Sequence, residues 1–370
     1  MINVLHISHY PTLHMGGQQS MFALIENLNT ENIKSYALLP SKGELSNVLE
    51  GIGCECFFLP LCSLKLKNIF NVISNIKKLH SIIKKYNIDI VHCDSERDAF
   101  ISIIAKKYTK CKLIYHLRLT RKNNLDNIIV RNSDYLIGIS EGTRQRIPIK
   151  FQSKFSVIFN GVDTNKFIPI DDSSKIKIKK ELNFPKAKFN ILFVGQIKYG
   201  KGIIELIEAA KILNIKNLDF SISFVGEFES NEFKNIIDTK IKDYNLEKKC
   251  YFYGYYNNIY KFMQVADVLV LPSYEGVEGM GRVVFEAMAC GIPVVASDIS
   301  GVREAITEET GILVPEKSPY LLADAFIKLK NIEDRDNKFV ELCHRHAKDN
   351  FDITKHSLSI EKIYYNLLNK

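Results

Sequence analysis

Residues 272–297, PSYEGVEGMGRVVFEAMACGIPVVAS, decide the fold, because they run from a buried strand through a glycine-rich loop into a helix and a second strand. The preceding residues 267–271 are a short apolar run, typical of a strand buried on both faces. A glycine followed by a proline within residues 291–293 stops the helix before the second apolar run. The helix is therefore predicted to begin near Met280 or Gly281.

The amino end of this helix has the properties of an anion-binding site. The first N–H groups of a helix have no intrahelical partner and lie at the positive end of the helix dipole. Gly279 and Gly281 carry no side chain that would keep an anion away, and Met280, Arg282 and Val283 complete the predicted turn. We therefore expect a phosphate or diphosphate to bind there.

Two carboxylates frame this turn, Glu278 before the helix and Glu286 in its second turn, with seven residues between them. An ionised carboxylate only accepts hydrogen bonds, so its natural partners here are hydroxyl groups rather than phosphates. A vicinal ribose diol suits Glu286, as it suits the acidic residue of dinucleotide sites, and Glu278 would face the other side of the phosphates. This arrangement indicates a nucleotide-sugar. The alternative is a surface loop with two solvated glutamates.

The spacing of Glu278 and Glu286 resembles the E-x7-E signature of retaining glycosyltransferases of the GT-B fold, specifically glycosyltransferase family four, which includes sucrose and glycogen synthase relatives. The resemblance extends over nearly the whole chain. It implies that Glu286 binds the donor ribose and that Glu278 lies by the transferred sugar. It also implies an α/β architecture of two Rossmann-like α/β/α domains facing across a cleft, with the nucleotide-sugar held mainly by the second and the acceptor by the first.

Length and composition favour two soluble domains. At 370 residues the chain exceeds what one hydrophobic core usually supports. With 46% hydrophobic and 25% charged residues it resembles an ordinary globular protein. No apolar run approaches the roughly 20 residues of a membrane span, and residues 1–7 lack the basic start of a signal peptide. We therefore expect a cytoplasmic protein whose eight scattered cysteines are reduced.

Two alternating series of strands and helices, separated by one polar segment, predict the domain arrangement. Residues 171–180 are polar and lack apolar periodicity, so the boundary is placed near residues 168–186. The predicted domains are residues 1–168 for the acceptor and residues 187–350 for the nucleotide-sugar. In GT-B enzymes the terminal helix crosses back onto the first domain, and residues 351–370 are expected to do so here.

In the first predicted domain, two glycines and two histidines follow strands. Gly16 and Gly17 begin a helix, where their N–H groups would form another phosphate-facing nest. His92 and His116 each end a buried strand, and open α/β sheets bind ligands at the carboxyl ends of strands. The resemblance implies that the glycines face the donor phosphates and the acceptor. It also implies that His116 lies close to the transferred sugar, with His92 as a less constant neighbour; a structural role is the alternative for both histidines.

The second predicted domain begins with a strand that ends at Gly195, followed by Gln196 and, at the start of a helix, Lys201. A lysine in this place can neutralise the charge of a diphosphate. The family usually has an arginine five residues before this lysine, and here that position is Gln196. One of two expected cations is therefore missing, unless Arg282 substitutes for it. Tyr253 lies at another strand end, in the family's usual place for packing around the nucleotide base.

The positive charge is concentrated at the amino-terminal end. Residues 1–150 hold 20 Lys and Arg against 12 Asp and Glu, whereas residues 151–370 hold 30 of each. Isoleucine and leucine recur at helical spacing in residues 69–83, beside a group of lysines. These lysines are Lys77, Lys78, Lys84 and Lys85. We expect peripheral docking on the anionic inner face of the cytoplasmic membrane, with a solvated helix as the alternative; nucleic acid is not expected, because no recognition motif is present.

The predicted function is retaining transfer of a hexose-type sugar from a nucleotide-sugar to a glycan or lipid-linked acceptor, in surface polysaccharide or lipopolysaccharide assembly. Catalysis is assigned to His116, Lys201 and Glu278, and a front-face reaction is favoured because no carboxylate is placed as an obvious nucleophile. A UDP-sugar is the first choice of donor and a GDP-sugar the second. No metal is expected, since Lys201 and the helix dipole replace it.

Three alternatives remain open at this point. A GT-B epimerase or phosphorylase would share the fold, although no pyridoxal-lysine site is evident. A catalytically inactive nucleotide-sugar-binding partner is suggested by Gln196. A Rossmann dehydrogenase is disfavoured, because no G-x-G-x-x-G follows the first strand.

Overall fold

The computed structural model describes residues 1–14, 16–332 and 335–369, without the side chains of residues 335–338. The chain divides into two compact units. The first unit combines Met1–Gly161 with Ile353–Lys370, and the second is Val162–Asp352. Within the described parts of the chain, we find no helix with the length and hydropathy that a bilayer crossing requires.

The elements alternate along the chain. The strands are β1 (Ile2–Ile7), β2 (Ile33–Leu39), β3 (Glu55–Phe58), β4 (Ile90–Cys93), β5 (Lys112–Leu117), β6 (Tyr135–Gly138), β7 (Phe155–Val157), β8 (Asn190–Val194), β9 (Ser221–Val225), β10 (Cys250–Phe252), β11 (Val268–Leu271), β12 (Val294–Ser297) and β13 (Gly311–Val314). The helices are α1 (Gly16–Glu26), α2 (Glu44–Gly51), α3 (Ile69–Lys85), α4 (Glu96–Ala105), α5 (Asp126–Asn132), α6 (Asp172–Glu181), α7 (Ile203–Ile215), α8 (Asn231–Asp243), α9 (Ile259–Val265), α10 (Arg282–Ala289), α11 (Pro319–Lys330), α12 (Arg335–Phe351) and α13 (Ile353–Leu368).

The first unit contains a sheet in the order β3-β2-β1-β4-β5-β6-β7, in which all neighbouring strands are parallel. Strands β1, β4 and β5 are almost entirely buried, because crossover helices cover both faces of a parallel sheet. The strand order reverses between β1 and β4. Open α/β sheets bind ligands at the carboxyl ends of the strands at such a reversal.

The second unit repeats this plan with the order β10-β9-β8-β11-β12-β13, again with parallel neighbours. Its reversal lies between β8 and β11, so the loops after these two strands are brought side by side. The α/β class and the two Rossmann-like units are therefore confirmed.

Helix α13 completes the core of the first unit. Its apolar residues Ile360, Ile363 and Tyr364 pack with side chains of the first sheet and of α1, including Val4 and Leu24. Burying an apolar side chain of this size contributes roughly 1.5–3 kcal/mol, so three such residues hold the helix firmly in this unit.

The structure corrects the predicted boundary. The polar segment that we expected as a linker forms α6, whose first turn is capped by the Asp171 carboxylate accepting from the Ser174 N–H at 2.9 Å. The helix packs against α9 within the second unit. The units are therefore divided after Gly161 rather than near residues 168–186. Helix α6 is stabilised by the Asp171 cap and by contacts along one side. Neither feature requires apolar residues at helical spacing, so the sequence contains no periodic signal for this helix.

Candidate active site

Two loops meet where the second sheet reverses its order, one after β8 and one after β11. The Tyr274 N–H of the second loop donates to the Gly200 carbonyl of the first at 2.8 Å. Gly202 has φ +68°, and a Cβ there would lie 1.9 Å from the Pro272 carbonyl oxygen. Only glycine satisfies both conditions, so the close contact of the two loops depends on this residue.

Helix α10 begins at Arg282, directly after the predicted glycines. Gly281 is the residue before the helix, with φ +66°, and among the described residues no side chain caps this end. A Cβ on Gly281 would lie 2.5 Å from Leu271 Cδ2, and a Cβ on Gly301 would lie 1.9 Å from the Gly279 carbonyl oxygen. The helix start is therefore built from closely approaching backbone, which is the geometry that an anion site at a helix end needs.

The flanking residues of this turn differ in exposure. Met280 is buried, with 1% of its surface exposed, so its side chain serves the core. Val283 is half-buried in the first turn of α10. Neither side chain has a polar group, so both residues can donate hydrogen bonds to a ligand only through their backbone N–H groups.

Two ion pairs lie at this turn. The Lys201 ammonium forms a close ion pair with Glu278, to which the Ser273 hydroxyl also donates at 3.3 Å. The Arg282 guanidinium donates to Glu286 Oε1 from Nη2 at 2.9 Å and from Nε at 3.2 Å. The Glu286 side chain is only 2% exposed. The structure therefore brings together four residues that were predicted separately and pairs each cation with a carboxylate.

These pairs define what the turn can bind. A cation without its carboxylate, or the reverse, would leave a poorly solvated charge, so each partner keeps the other in place. A ligand that carries a diphosphate and hydroxyl groups could take over both halves, because phosphate accepts from Lys201 and Arg282 while hydroxyls donate to Glu278 and Glu286. The site thus has the donors and acceptors that suit a nucleotide-sugar.

Gly195, Gln196 and Tyr253 lie at neighbouring strand ends. Gly195 has φ +144° and its N–H bonds to the end of β9 at 2.9 Å, while the Gln196 side chain is exposed. The Tyr253 hydroxyl donates to the Asn183 carbonyl at 3.5 Å, and its ring packs edge-on against Phe262 with centroids 4.7 Å apart. Burial raises the pKa of Tyr253. Its side chain is thus engaged in packing at the β10 edge of the sheet.

In the first unit, the predicted histidines form a buried row. His92 Nδ1 lies 2.6 Å from the Tyr364 hydroxyl of α13, and its Nε2 lies 3.2 Å from His116 Nδ1. His6 pairs with His92 across β1 and β4, with ring centroids 5.5 Å apart. His116 is 0% exposed, and its Nε2 has no hydrogen-bond partner among the described residues.

Burial sets the protonation state of this row. It lowers the pKa of all three imidazoles, that of His6 to about 3, and the nearby Arg118 cation lowers those of His92 and His116 further. The histidines are therefore neutral at pH 7. His116 can act there as a hydrogen-bonding group and not as a cation.

The sequence reasoning missed an ion pair at the reversal of the first sheet. Asp94 follows β4, Arg118 follows β5, and Arg118 Nε lies 3.4 Å from Asp94 Oδ2. Burial raises the pKa of Asp94 and the Arg118 charge opposes that shift. The two side chains line a small cavity together with His6 and His92. Their positions directly after strand ends were the signal that could have identified them.

The glycine pair of the first unit faces this carboxylate. Helix α1 begins at Gly16, and a Cβ on Gly17 would lie 3.7 Å from Asp94 Oδ2. A carboxylate beside a helix start competes with a phosphate for the same N–H groups and itself prefers hydroxyl donors. The surroundings of Gly16 and Gly17 therefore suit a sugar hydroxyl better than the predicted donor phosphates.

Among the side chains that the structure describes, no group of three or more His, Cys, Asp or Glu is arranged to hold a metal ion. The cysteines are free thiols.

Comparison with known families places the chain. The family model described as "Glycosyltransferase Family 4" matches residues 16–166, and the model described as "Glycosyl transferases group 1" matches residues 174–344. A relative in Escherichia coli, UDP-Gal:alpha-D-GlcNAc-diphosphoundecaprenol alpha-1,3-galactosyltransferase, is 26% identical over 99% of this chain and 97% of its own length.

Solved structures agree on the fold. A glycosyltransferase from Rickettsia africae has a TM-score of 0.86 and 24% identity, over 99% of this chain and 98% of that one. Anabaena HepE in complex with UDP-glucose has a TM-score of 0.84 and 18% identity, over 99% of this chain and 100% of that one. Together with the family matches, these similarities show that the chain is a glycosyltransferase of family four with the GT-B fold.

Proposed function

We propose that this glycosyltransferase moves a hexose-type sugar from a nucleotide-sugar to a glycan or lipid-linked acceptor, with retention at the anomeric carbon. The observation that carries the proposal is the pairing of Lys201 with Glu278 and of Arg282 with Glu286 at the glycine-built start of α10. This turn offers cations, backbone N–H groups and hydroxyl acceptors side by side, as a sugar linked to a nucleoside diphosphate requires.

The donor is assigned to the second unit. Its diphosphate would bind Lys201, Arg282 and the first N–H groups of α10, while Glu286 accepts from the ribose diol and Glu278 from the transferred sugar. Anabaena HepE, which shares the fold, was solved with UDP-glucose, and this supports a UDP-sugar as the first candidate and a GDP-sugar as the second. Arg282 supplies the second cation that Gln196 does not.

The reaction follows from these positions. The bond between the anomeric carbon and the diphosphate oxygen breaks, the acceptor oxygen bonds to the same face of that carbon, and the acceptor proton passes to the departing phosphate. Lys201, Arg282 and the helix N–H groups stabilise the charge that develops on the diphosphate, which is usually the largest catalytic contribution. His116 enters as a neutral group whose Nε2 is left for a sugar hydroxyl, since its Nδ1 faces His92.

The acceptor is assigned to the first unit. Asp94, beside Gly17 and the histidine row, is a carboxylate suited to an acceptor hydroxyl. The E. coli relative is named for a diphosphoundecaprenol-linked acceptor, which supports a lipid-linked acceptor here. We accordingly place the enzyme in surface polysaccharide or lipopolysaccharide assembly, at the inner face of the cytoplasmic membrane.

One observation favours a second candidate. The exposed Gln196 stands where the family usually has an arginine, and loss of that cation would suit a nucleotide-sugar-binding partner without catalysis. A GT-B epimerase would use the same donor turn, but Asp94 and the histidines favour transfer to a second substrate.

A panel of nucleotide-sugars tests the proposal. At least one should raise the unfolding temperature of the wild type, and the raise should disappear in Glu286→Ala but persist in Glu308→Ala, an exposed glutamate of the same unit. The protecting donor should then be turned over, and NMR of the first sugar product should show the anomeric configuration of the donor. Protection without turnover on any acceptor would favour the inactive partner, and an inverted product would exclude retention.

A further inference from the structure

The amino-terminal half of α3, with the turn before it, leaves a row of apolar side chains in solvent. Leu66 is 89% exposed and Phe70 83%, and Ile69 and Ile73 are 49% and 44% exposed. Within α3, residues 69, 70 and 73 share one face. Leu79 and Ile83, in the later turns of the helix, are buried in the core of the first unit. The later turns therefore anchor the helix, while its first turns present hydrocarbon to water.

The same segment carries only positive charge. Residues 56–88 contain six lysines and no aspartate or glutamate. All six lysines are exposed: Lys65, Lys67, Lys77, Lys78, Lys84 and Lys85. The ion pairs found among the described residues do not include any of them. These charges are thus available to an external anionic surface.

A shallow depression lies between the later turns of α3 and the end of β3, the edge strand of the first sheet. It is lined by Phe58 and Leu59 at the end of β3 and by Lys77, Lys78, Ser81 and Ile82 of α3. Phe58 is 39% exposed. The depression thus combines apolar side chains and lysines on the same helix as the exposed row.

We propose that this surface docks the protein on an anionic lipid bilayer. We define the α3 surface as the apolar residues Phe58, Leu66, Ile69, Phe70 and Ile73 with the six lysines between residues 65 and 85. The inference rests on the proposed function in one respect only: a lipid-linked acceptor lies in the membrane, so an enzyme that uses it must reach the membrane surface.

Charge and shape favour this occupant over the others. Apolar side chains enter the boundary between headgroups and acyl chains, while lysines reach anionic headgroups from the same face. A two-fold interface with a second copy would place six lysines against six lysines, which is repulsive. Nucleic acid has no apolar interior in which the side chains of Leu66 and Phe70 could be buried. The bilayer alone satisfies both halves of the α3 surface.

Sedimentation with vesicles tests the docking. The full-length wild type should pellet with vesicles of phosphatidylglycerol and phosphatidylcholine at low salt, pellet less as salt rises, and stay in solution with phosphatidylcholine alone. The double variant L66S/F70S and the quadruple variant K77Q/K78Q/K84Q/K85Q should each lower the partition coefficient at least about tenfold.

Two matched controls separate docking from general surface chemistry. Y108S/I149S removes apolar side chains that are 98% and 92% exposed in the same unit but outside the α3 surface. K175Q/K177Q/K179Q/K180Q removes four lysines from α6 of the second unit. Both controls should pellet as the wild type does. Every variant should bind UDP with wild-type affinity and keep the circular dichroism spectrum and unfolding temperature of the wild type, which together show that both units are folded.

The outcomes separate this inference from the proposed function. If the wild type binds UDP but ignores anionic vesicles, docking is wrong and the donor assignment stands. If it pellets but binds neither UDP nor GDP, the donor assignment fails while docking is supported. Equal pelleting of the α3 variants and the wild type would overturn the choice of surface. The wild type could instead form a dimer in analytical ultracentrifugation and fail to bind vesicles. If L66S/F70S abolishes that dimer, the α3 surface binds a second copy of the chain.

Discussion

The sheets of the two units have the same strand order on either side of their first strand. The side chains at the point where this order reverses are nevertheless chemically different in the two units. In the second unit, Lys201 and Arg282 are each paired with a carboxylate on a turn rich in glycine. In the first unit, the reversal holds neutral histidines and the Asp94 to Arg118 pair. The topology fixes where a ligand can bind, and the residues that directly follow the strands decide which groups of that ligand are recognised.

The glycines sharpen this comparison. Gly202 and Gly281 have positive φ and no room for a Cβ, whereas a Cβ on Gly17 would make only ordinary contacts. In the second unit, glycine thus lets backbone segments approach closely at the start of α10, which is the geometry that an anion site needs. The first unit has side chains at the corresponding edge, and these suit hydroxyl groups.

The largest expected effect is on turnover. Lys201→Ala should lower kcat by about 10²–10³-fold, because it removes a partly buried cation from the departing diphosphate and leaves Glu278 unpaired. The neighbouring Lys198→Ala serves as the control and should retain wild-type kcat. Normal turnover by the Lys201→Ala enzyme would contradict the catalytic role proposed for the second unit.

Glu286→Ala should weaken donor binding about 10- to 100-fold, because the ribose loses a charged hydrogen-bond acceptor. Isothermal calorimetry with the protecting nucleotide-sugar measures this effect, and Glu308→Ala provides the matched control. Since Glu286 is 2% exposed and paired with Arg282, the circular dichroism spectrum should be compared first. Unchanged affinity in a folded variant would contradict the assignment.

The histidine row should make the stability of the first unit sensitive to acid. The folded pKa values lie below the unfolded value of 6.5, so the contribution to stability is present above that pH and is lost as the pH falls. Between pH 7 and pH 5, His6, whose folded pKa is about 3, should cost about 2 kcal/mol of unfolding free energy. His6→Leu should remove this contribution from the pH dependence. Denaturant titrations at pH 7 and pH 5 measure the change in unfolding free energy. An equal change in the wild type and in His6→Leu would contradict the prediction.

The smallest expected effect is that of chelation. Turnover should survive EDTA if, as proposed, Lys201, Arg282 and the dipole of α10 supply the positive charge that a metal would otherwise supply at the diphosphate. Loss of activity in EDTA that manganese or magnesium restores would show that the second unit needs more positive charge than its own side chains provide.

The sequence predicted the framework well where apolar runs end at glycine or proline. Strand β12 spans Val294–Ser297 as expected, and α10 begins one residue after the predicted glycine. The pair of Lys201 and Glu278 joins residues 77 positions apart, and one sequence carries no signal for such a contact. The pair of Arg282 and Glu286 is four residues apart on a helix and was readable from spacing, although we assigned Arg282 to the diphosphate alone.

At α6 and α3 the structure differs from the expectation for physical reasons that the spacing of apolar residues does not reveal. Helix α6 was taken for a linker because capping and one packed side stabilise it without a regular apolar stripe. In α3, the spacing of Ile69 and Ile73 predicted one apolar face, but only the later part of the helix meets the core, and these two side chains remain about half exposed. Periodicity identifies a face and does not say how far a partner covers it.

The packing of α13 on the first sheet has a consequence for biosynthesis. Val4 and Leu24 leave the ribosome early, but Ile360, Ile363 and Tyr364, which cover them, follow more than 300 residues later. The first unit can close its core only after all residues of the second unit have been synthesised, although its own strands are made first. Throughout that interval the first sheet keeps an uncovered apolar face, which is the moment at which a chaperone would be needed.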